Sequence, residues 1–125
     1  MSDAWEHYKS APPRGTRIVR LADVPEGSVA SLNVESDNGV FPVLVVNANG
    51  TLAAFVNACP HQYLPLDQRS DRILSSDGTL LRCSNHDAAF ETTSGQGVEG
   101  LGLGECLDAI PVSPDSEGWV IIADH

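Results

Sequence analysis

Two short segments of this 125-residue chain carry the side chains that could do chemistry. In the first, one residue separates Cys59 from His61, and in the second, two residues separate Cys83 from His86. Thiolates and imidazoles are ligands of transition metals and iron–sulfur clusters, and the order of Cys before His is the same in both segments. The spacing therefore predicts one metal site with these four residues as its ligands.

The residues around both pairs resemble the cluster segments of the Rieske-type ferredoxins, whose pattern is CxH followed further along by CxxH. Residues 59–66 are similar to the first segment of that family, and residues 83–90 followed by 94–95 are similar to the second. The resemblance extends over residues 17–122. It implies one [2Fe-2S] cluster per chain with two Cys on one iron and two His on the other, a ligand set that raises the reduction potential above that of an all-Cys cluster.

The resemblance also implies a role for each ligand and a fold. Cys59 and Cys83 would hold the inner iron, and His61 and His86 would hold the outer iron, where electrons enter and leave. The implied fold is an antiparallel β-sandwich with a small cluster-binding subdomain built from two β-hairpin loops.

Two features depart from the family pattern. Tyr63 and Asp87 stand where the family usually has glycine, and the 21 residues between the two segments are a few more than in most relatives, with residues 71–78 as the excess. Neither departure removes a ligand. If the carboxylate of Asp87 turns towards His86, it would stabilise positive charge on that imidazole.

Two other uses of the ligands compete with the cluster. Four Cys and His side chains could hold one zinc ion in a tetrahedral Cys2His2 site, although zinc knuckles and fingers do not typically pair ligands as CxH. A disulfide is disfavoured, because three cysteines are an odd number and residues 1–15 do not resemble a signal peptide, which predicts a reducing, cytoplasmic location. The third cysteine, Cys106, is expected to be a small buried apolar residue without chemistry.

Length and charge limit the remaining function classes. We expect one domain over residues 16–125 after an N-terminal extension of residues 1–15, and no apolar run is long enough to span a bilayer. Seventeen acidic against seven basic residues give a net charge of −10, which disfavours nucleic acid as a partner. The charge is consistent with docking to a basic protein and equally with solubility alone.

Short runs of alternating apolar residues, interrupted by turn residues, predict an all-β fold. The sequence Asn-Ala-Asn-Gly at residues 47–50 predicts a hairpin turn, because Asn and Gly accept the positive φ angles of tight turns. The Gly-rich residues 94–104 lack the Lys of a phosphate-binding loop and are expected to form a flexible cover over the cluster. Strands are expected at residues 17–21, 28–34, 41–46, 51–56, 79–82, 88–91, 107–112 and 119–123, the last two paired across residues 113–118.

The kind of Rieske protein is predicted from four positions at which the high-potential respiratory members differ. Those members have a further Cys in each segment, where this chain has Leu64 and Asn85, so their disulfide cannot form here. They also place Ser and Tyr hydroxyls two and four residues after the second His, where this chain has Ala88 and Phe90. Because fewer donors stabilise the added electron less, we expect a reduction potential near the low end of the Rieske range, roughly −150 mV.

The resemblance therefore implies an electron carrier and not an enzyme. It would accept single electrons from a flavoprotein reductase and pass them to a terminal oxygenase of the aromatic-ring-hydroxylating type, docking transiently to each, with no nucleic acid or membrane as partner. Tyr63 and Leu64 would form either an apolar docking patch or a cover over the cluster. Two alternatives stay open: a Rieske small subunit of a larger redox enzyme such as a nitrite reductase, and a zinc-binding module without redox activity.

Overall fold

Short antiparallel strands account for nearly all of the regular structure. The computed structural model describes residues 4–37, 39–58, 66, 73–83, 88–100 and 104–123, and for Glu99 the backbone alone. These ranges contain two 3-10 helices, Ala4–His7 and Leu21–Asp23, and ten strands. The strands are β1 (Arg17–Arg20), β2 (Ser28–Ser36), β3 (Gly39–Ala48), β4 (Thr51–Val56), β5 (Leu80–Arg82), β6 (Ala88–Glu91), β7 (Gly97–Gly100), β8 (Ala109–Ile110), β9 (Val112–Pro114) and β10 (Trp119–Ile122).

The strands form three antiparallel sheets, with orders β1-β10-β9, β2-β3-β4-β8 and β5-β6-β7. The hairpin predicted at residues 47–50 joins β3 to β4, with Ala48 opposite Thr51 and Asn49 in the left-handed region at φ 54°. The predicted all-β antiparallel fold is thus confirmed. No helix in the described ranges is long and apolar enough to cross a membrane.

The central strand β3 is buried on both faces. Phe41, Val43 and Val45 lie in one apolar cluster, the base core, with residues of β1 and β10. Leu44 and Val46 lie in a second cluster, the upper core, with residues of β5 and β6. Because successive side chains of a strand point to opposite faces, the four-stranded sheet is the shared middle layer between the two cores. The upper core consists of Leu44, Val46, Ala48, Phe55, Leu66, Ile73, Leu81, Cys83, Ala88, Phe90 and Leu107.

Two sequence predictions for the C-terminal part are wrong. The single strand expected over residues 107–112 divides at Pro111, so that β8 pairs with β4 and β9 pairs with β10. Proline has no N–H to continue a ladder, and the chain passes from one sheet to another there. The Gly-rich segment is not a flexible cover where it is described, because Gly97–Gly100 is a strand paired with β6.

The residues before β1 pack against the sandwich from Ala4 onwards. Trp5 is 1% exposed and belongs to the base core, and the ring of Tyr8 contacts Phe41 edge-on at 5.8 Å between centroids. The guanidinium of Arg14 lies 5.3 Å from the centre of the Trp5 ring and donates to the Ala123 carbonyl at 2.8 Å. These contacts join the residues before β1 to Ala123, just after β10.

Candidate cluster-binding site

The segment that carries Cys59 and His61 is bordered by two hydrogen-bonded, buried residues. Strand β4 ends at Val56, and the next N–H, that of Asn57, donates to the Pro42 carbonyl of β3 at 3.0 Å. The side-chain oxygen Oδ1 of Asn57 accepts the backbone N–H of Leu66 at 2.8 Å. The structure therefore ties the two ends of this segment together inside the protein.

The segment that carries His86 is bordered by the β5–β6 hairpin. The N–H of Cys83 donates to the Ala88 carbonyl at 3.0 Å, directly after the last strand pair of the hairpin. Cys83 is 6% exposed and Ala88 is 3% exposed. The predicted ligand Cys83 thus lies at a buried, hydrogen-bonded position at the base of the second segment.

Both bordering pairs contribute to the same upper core, since Leu66, Cys83 and Ala88 all belong to it. The structure therefore brings the described ends of the two ligand segments to one side of the middle sheet. Three of the four predicted ligands (Cys59, His61 and His86) lie outside the described residues, as do Tyr63, Leu64 and Asp87. Their assignment stays a prediction.

A glycine beside the upper core allows a close approach between two elements. Gly95 adopts φ +77°, and a Cβ atom built on it would lie 2.8 Å from Cε1 of Phe55 and 3.1 Å from the Leu107 carbonyl oxygen. The Leu107 N–H donates to the Gly95 carbonyl at 2.8 Å. Residue 95 must therefore lack a side chain for the segment after β6 to pack on β4.

The turn before β5 is stabilised by a carboxylate. Oδ1 of Asp77 accepts from the hydroxyls of Ser75 and Thr79, each at 2.7 Å, and from the Thr79 N–H at 3.1 Å. These hydrogen bonds, the one from Ser75 first, lower the pKa of Asp77 to about 2 because they stabilise the ionised form. The backbone oxygen of Asp77 also accepts from Nδ2 of Asn49 at 3.1 Å, which joins this turn to the β3–β4 hairpin.

The two positions that carry hydroxyls in high-potential members are apolar and buried here. Ala88 is 3% exposed and Phe90 is 0% exposed, and both lie on β6 immediately after the second ligand segment. Neither side chain can donate a hydrogen bond to a cluster sulfur. The lack of hydroxyl groups at these two positions is consistent with the predicted low potential.

The prediction for Cys106 is wrong, because this residue is exposed. It pairs with Gln96 in an isolated antiparallel bridge, and the neighbouring Leu107 takes the inward position, so alternation turns residue 106 outward. Partial desolvation raises the pKa of the Cys106 thiol, and the negative charge of Asp108 raises it further.

Sequence reasoning missed two residues of the site. Asn57 is a buried polar residue at the end of a strand, two positions before Cys59, and that position was the available signal. Phe55 is 1% exposed and its ring contacts Gly95, and no local pattern indicates this long-range contact.

Among the described residues no group of three or more His, Cys, Asp or Glu side chains is close enough to hold a metal ion.

A family model described as the Rieske [2Fe-2S] domain matches residues 16–107. The chain belongs to the Rieske [2Fe-2S] domain family. Its cofactor is therefore a [2Fe-2S] cluster, and the zinc alternative is set aside. The residues present fit this group, because two thiols and two imidazoles form the Rieske ligand set and the one predicted ligand that is described, Cys83, lies buried in the upper core.

Individual relatives agree with the family match. The chain is 33% identical over 86 residues to the ferredoxin component of the alkene monooxygenase system of Xanthobacter autotrophicus (strain ATCC BAA-1158 / Py2), a match that covers 69% of this chain and 65% of that relative. A ferredoxin of Sphingomonas yanoikuyae B1 has the same fold, with a TM-score of 0.69 at 22% identity over 89% of this chain and 99% of that one. The terminal oxygenase of carbazole 1,9a-dioxygenase from Novosphingobium sp. KA1 contains this fold in 34% of its length, with a TM-score of 0.72 at 21% identity over 98% of this chain.

Proposed function

We propose that this Rieske protein is a one-electron carrier, with Cys59, His61, Cys83 and His86 as the ligands of its cluster. The bound cluster supplies the capacity to take up and release one electron. The observation that supports the proposal most directly is the shared upper core, in which Leu66 borders the first ligand segment and Cys83 belongs to the second. Residues packed in one core, as the described ends of both segments are, move little relative to each other.

The chain's own residues join the described ends of both segments. The Asn57 side chain closes the first segment on Leu66, and the hydrogen bond between Cys83 and Ala88 closes the second. A site held by packed and hydrogen-bonded surroundings needs little reorganisation when its charge changes. Such rigidity suits transfer of an electron better than binding and conversion of a substrate.

The relatives support a carrier that acts between other proteins. The curated relative is named a ferredoxin component of a monooxygenase system, and the fold covers nearly the whole of the Sphingomonas ferredoxin. We therefore propose a flavoprotein reductase as electron donor and a terminal oxygenase as acceptor, each docking transiently, in the cytoplasm. The sequence resemblance favours an aromatic-ring-hydroxylating oxygenase, whereas the curated relative serves an alkene monooxygenase system, so the test must include both classes.

A fixed subunit or domain of a larger redox enzyme is the second candidate. One observation favours it: the same fold occurs as about a third of a terminal oxygenase chain. The two candidates differ in association, because a carrier purifies alone, whereas a subunit purifies in a fixed ratio with one large partner.

The cluster assignment is tested by iron and acid-labile sulfide analysis of the purified protein. We expect a red-brown protein with about two irons and two sulfides per chain. Replacement of any of the four ligands by alanine should abolish the cluster, and Cys106→Ser is the matched control that should retain it. Retention of two irons after loss of Cys59 or His86 would contradict the ligand assignment.

Carrier function is tested by reconstitution with NADH, a flavoprotein reductase and one purified oxygenase at a time, either an aromatic-ring dioxygenase or an alkene monooxygenase. Product should form only when this protein is present. Failure with both oxygenase classes, together with copurification of a large redox subunit, would support the second candidate. The net charge of −10 adds a further expectation: reduction should slow as salt rises, since salt screens the attraction to a basic partner.

A further inference from the structure

Asn57, two residues before Cys59, forms hydrogen bonds with three different parts of the chain. Its N–H donates to Pro42 of β3 at 3.0 Å, and its Nδ2 donates to the Ser31 hydroxyl of β2 at 3.3 Å. Its Oδ1 accepts the Leu66 N–H at 2.8 Å. One side chain therefore connects the middle sheet to the far end of the segment that contains Cys59 and His61.

The contact between Asn57 and Leu66 is buried at both ends. Asn57 is 5% exposed and Leu66 is 0% exposed. An amide N–H in such a position cannot form a hydrogen bond with water instead if its acceptor is removed. The loss of the acceptor therefore leaves a buried donor unsatisfied. This hydrogen bond is consequently costly to break, unlike one on the surface.

Leu66 carries the effect of this hydrogen bond into the upper core. Its side chain packs in the cluster that also contains Cys83 and Ala88, which form the base of the second ligand segment. The end of the first segment and the start of the second are thus packed in one core.

We propose that Asn57 is a positioning residue of the cluster site: its carboxamide oxygen, by holding the Leu66 N–H, sets the spacing between the two ligand segments. Asn57 does not contact the cluster in this proposal and acts through Leu66. The proposal rests on the function proposed above, in that it takes Cys59 and His61 as ligands.

Three variants separate positioning from general stability. Asn57→Leu keeps the approximate size and removes the acceptor, and Asn57→Asp keeps an acceptor oxygen. Asn47→Leu is the matched control. Asn47 lies on β3, and its side chain also forms a partly buried hydrogen bond, donating from Nδ2 to the Val24 carbonyl at 2.8 Å.

The first readout is the cluster itself, measured by the rate of iron release to a chelator and by the electron paramagnetic resonance spectrum of the reduced protein. Asn57→Leu should release iron about tenfold faster, the factor expected when a buried donor loses its acceptor, and should give broadened lines. Asn57→Asp and Asn47→Leu should keep the wild-type line shape and release rate. A wild-type spectrum and release rate for Asn57→Leu, or an equal effect of Asn47→Leu, would overturn the proposal.

The second readout does not depend on any variant folding. Hydrogen exchange of the wild-type protein should show a protected amide at Leu66, as expected for a buried, hydrogen-bonded N–H. Exchange at the rate of an open loop would also overturn the proposal. Absence of a cluster from the wild-type protein would instead refute the proposed function, so the two failures are distinguishable.

Discussion

The replacement Gly95→Ala tests how closely the segment after β6 packs on β4. The new Cβ would lie 2.8 Å from Cε1 and 3.1 Å from Cδ1 of Phe55, both inside ordinary van der Waals contact. The left-handed φ of +77° costs a non-glycine residue about 1–2 kcal/mol. Overpacking a well-packed core costs about 1–3 kcal/mol more, so the free energy of unfolding should fall by about 2–5 kcal/mol.

Gly118 provides the matched control for the backbone contribution. It has φ +85°, and a Cβ built there would meet nothing within 4 Å. Gly118→Ala should therefore cost only the conformational part, about 1–2 kcal/mol. The difference between the two variants measures the steric contact alone.

The steric part is then located by a double-mutant cycle with Phe55→Leu. If the ring of Phe55 causes most of the clash, Gly95→Ala should recover most of the steric cost of about 1–3 kcal/mol in the Phe55→Leu background. Recovery should be incomplete, since the Leu107 carbonyl still lies 3.1 Å from the new Cβ. The assay is guanidinium unfolding of the iron-loaded protein followed by far-ultraviolet circular dichroism. Equal costs for Gly95→Ala and Gly118→Ala, or strict additivity in the cycle, would refute this reasoning.

Three further predictions concern thiols and redox potential. Native holoprotein should be alkylated at one cysteine, the exposed Cys106, and unfolded apoprotein at three, as counted by mass spectrometry. The alkylation rate of Cys106 should rise only above the usual pH range of a thiol, and Asp108→Asn should move the profile to lower pH, because it removes a charge that raises the Cys106 pKa. In voltammetry, Ala88→Ser should raise a wild-type potential of roughly −150 mV by about 60 mV if the added hydroxyl binds the reduced cluster tenfold more tightly than the oxidised one.

Each of these predictions has a contrary result. Alkylation of two or three cysteines in folded holoprotein would mean that Cys59 or Cys83 is not a ligand. An unchanged pH profile in Asp108→Asn would show that desolvation alone raises the pKa of Cys106. A clearly positive midpoint for the wild-type protein would contradict the argument from Ala88 and Phe90.

The strands predicted best are those whose signal is local. The turn at residues 47–50 joins the two strands expected on either side of it, because Asn and Gly determine backbone conformation through their own φ preferences. Strand β6 was likewise predicted at its observed bounds. Strand β7 was missed, since its residues have little side-chain pattern and the strand forms by pairing with β6.

The sequence by itself determined the types and spacing of the four predicted ligands, and these indicate the family and the cofactor, because cluster chemistry depends on which donor atoms the chain supplies. Tertiary structure alone decided that β3 is buried on both faces, that Cys106 points outward, and that Asn57 holds Leu66. Each of these depends on contacts between elements distant in the chain. A local pattern of residues does not specify such contacts, since they follow from how the sheets pack together.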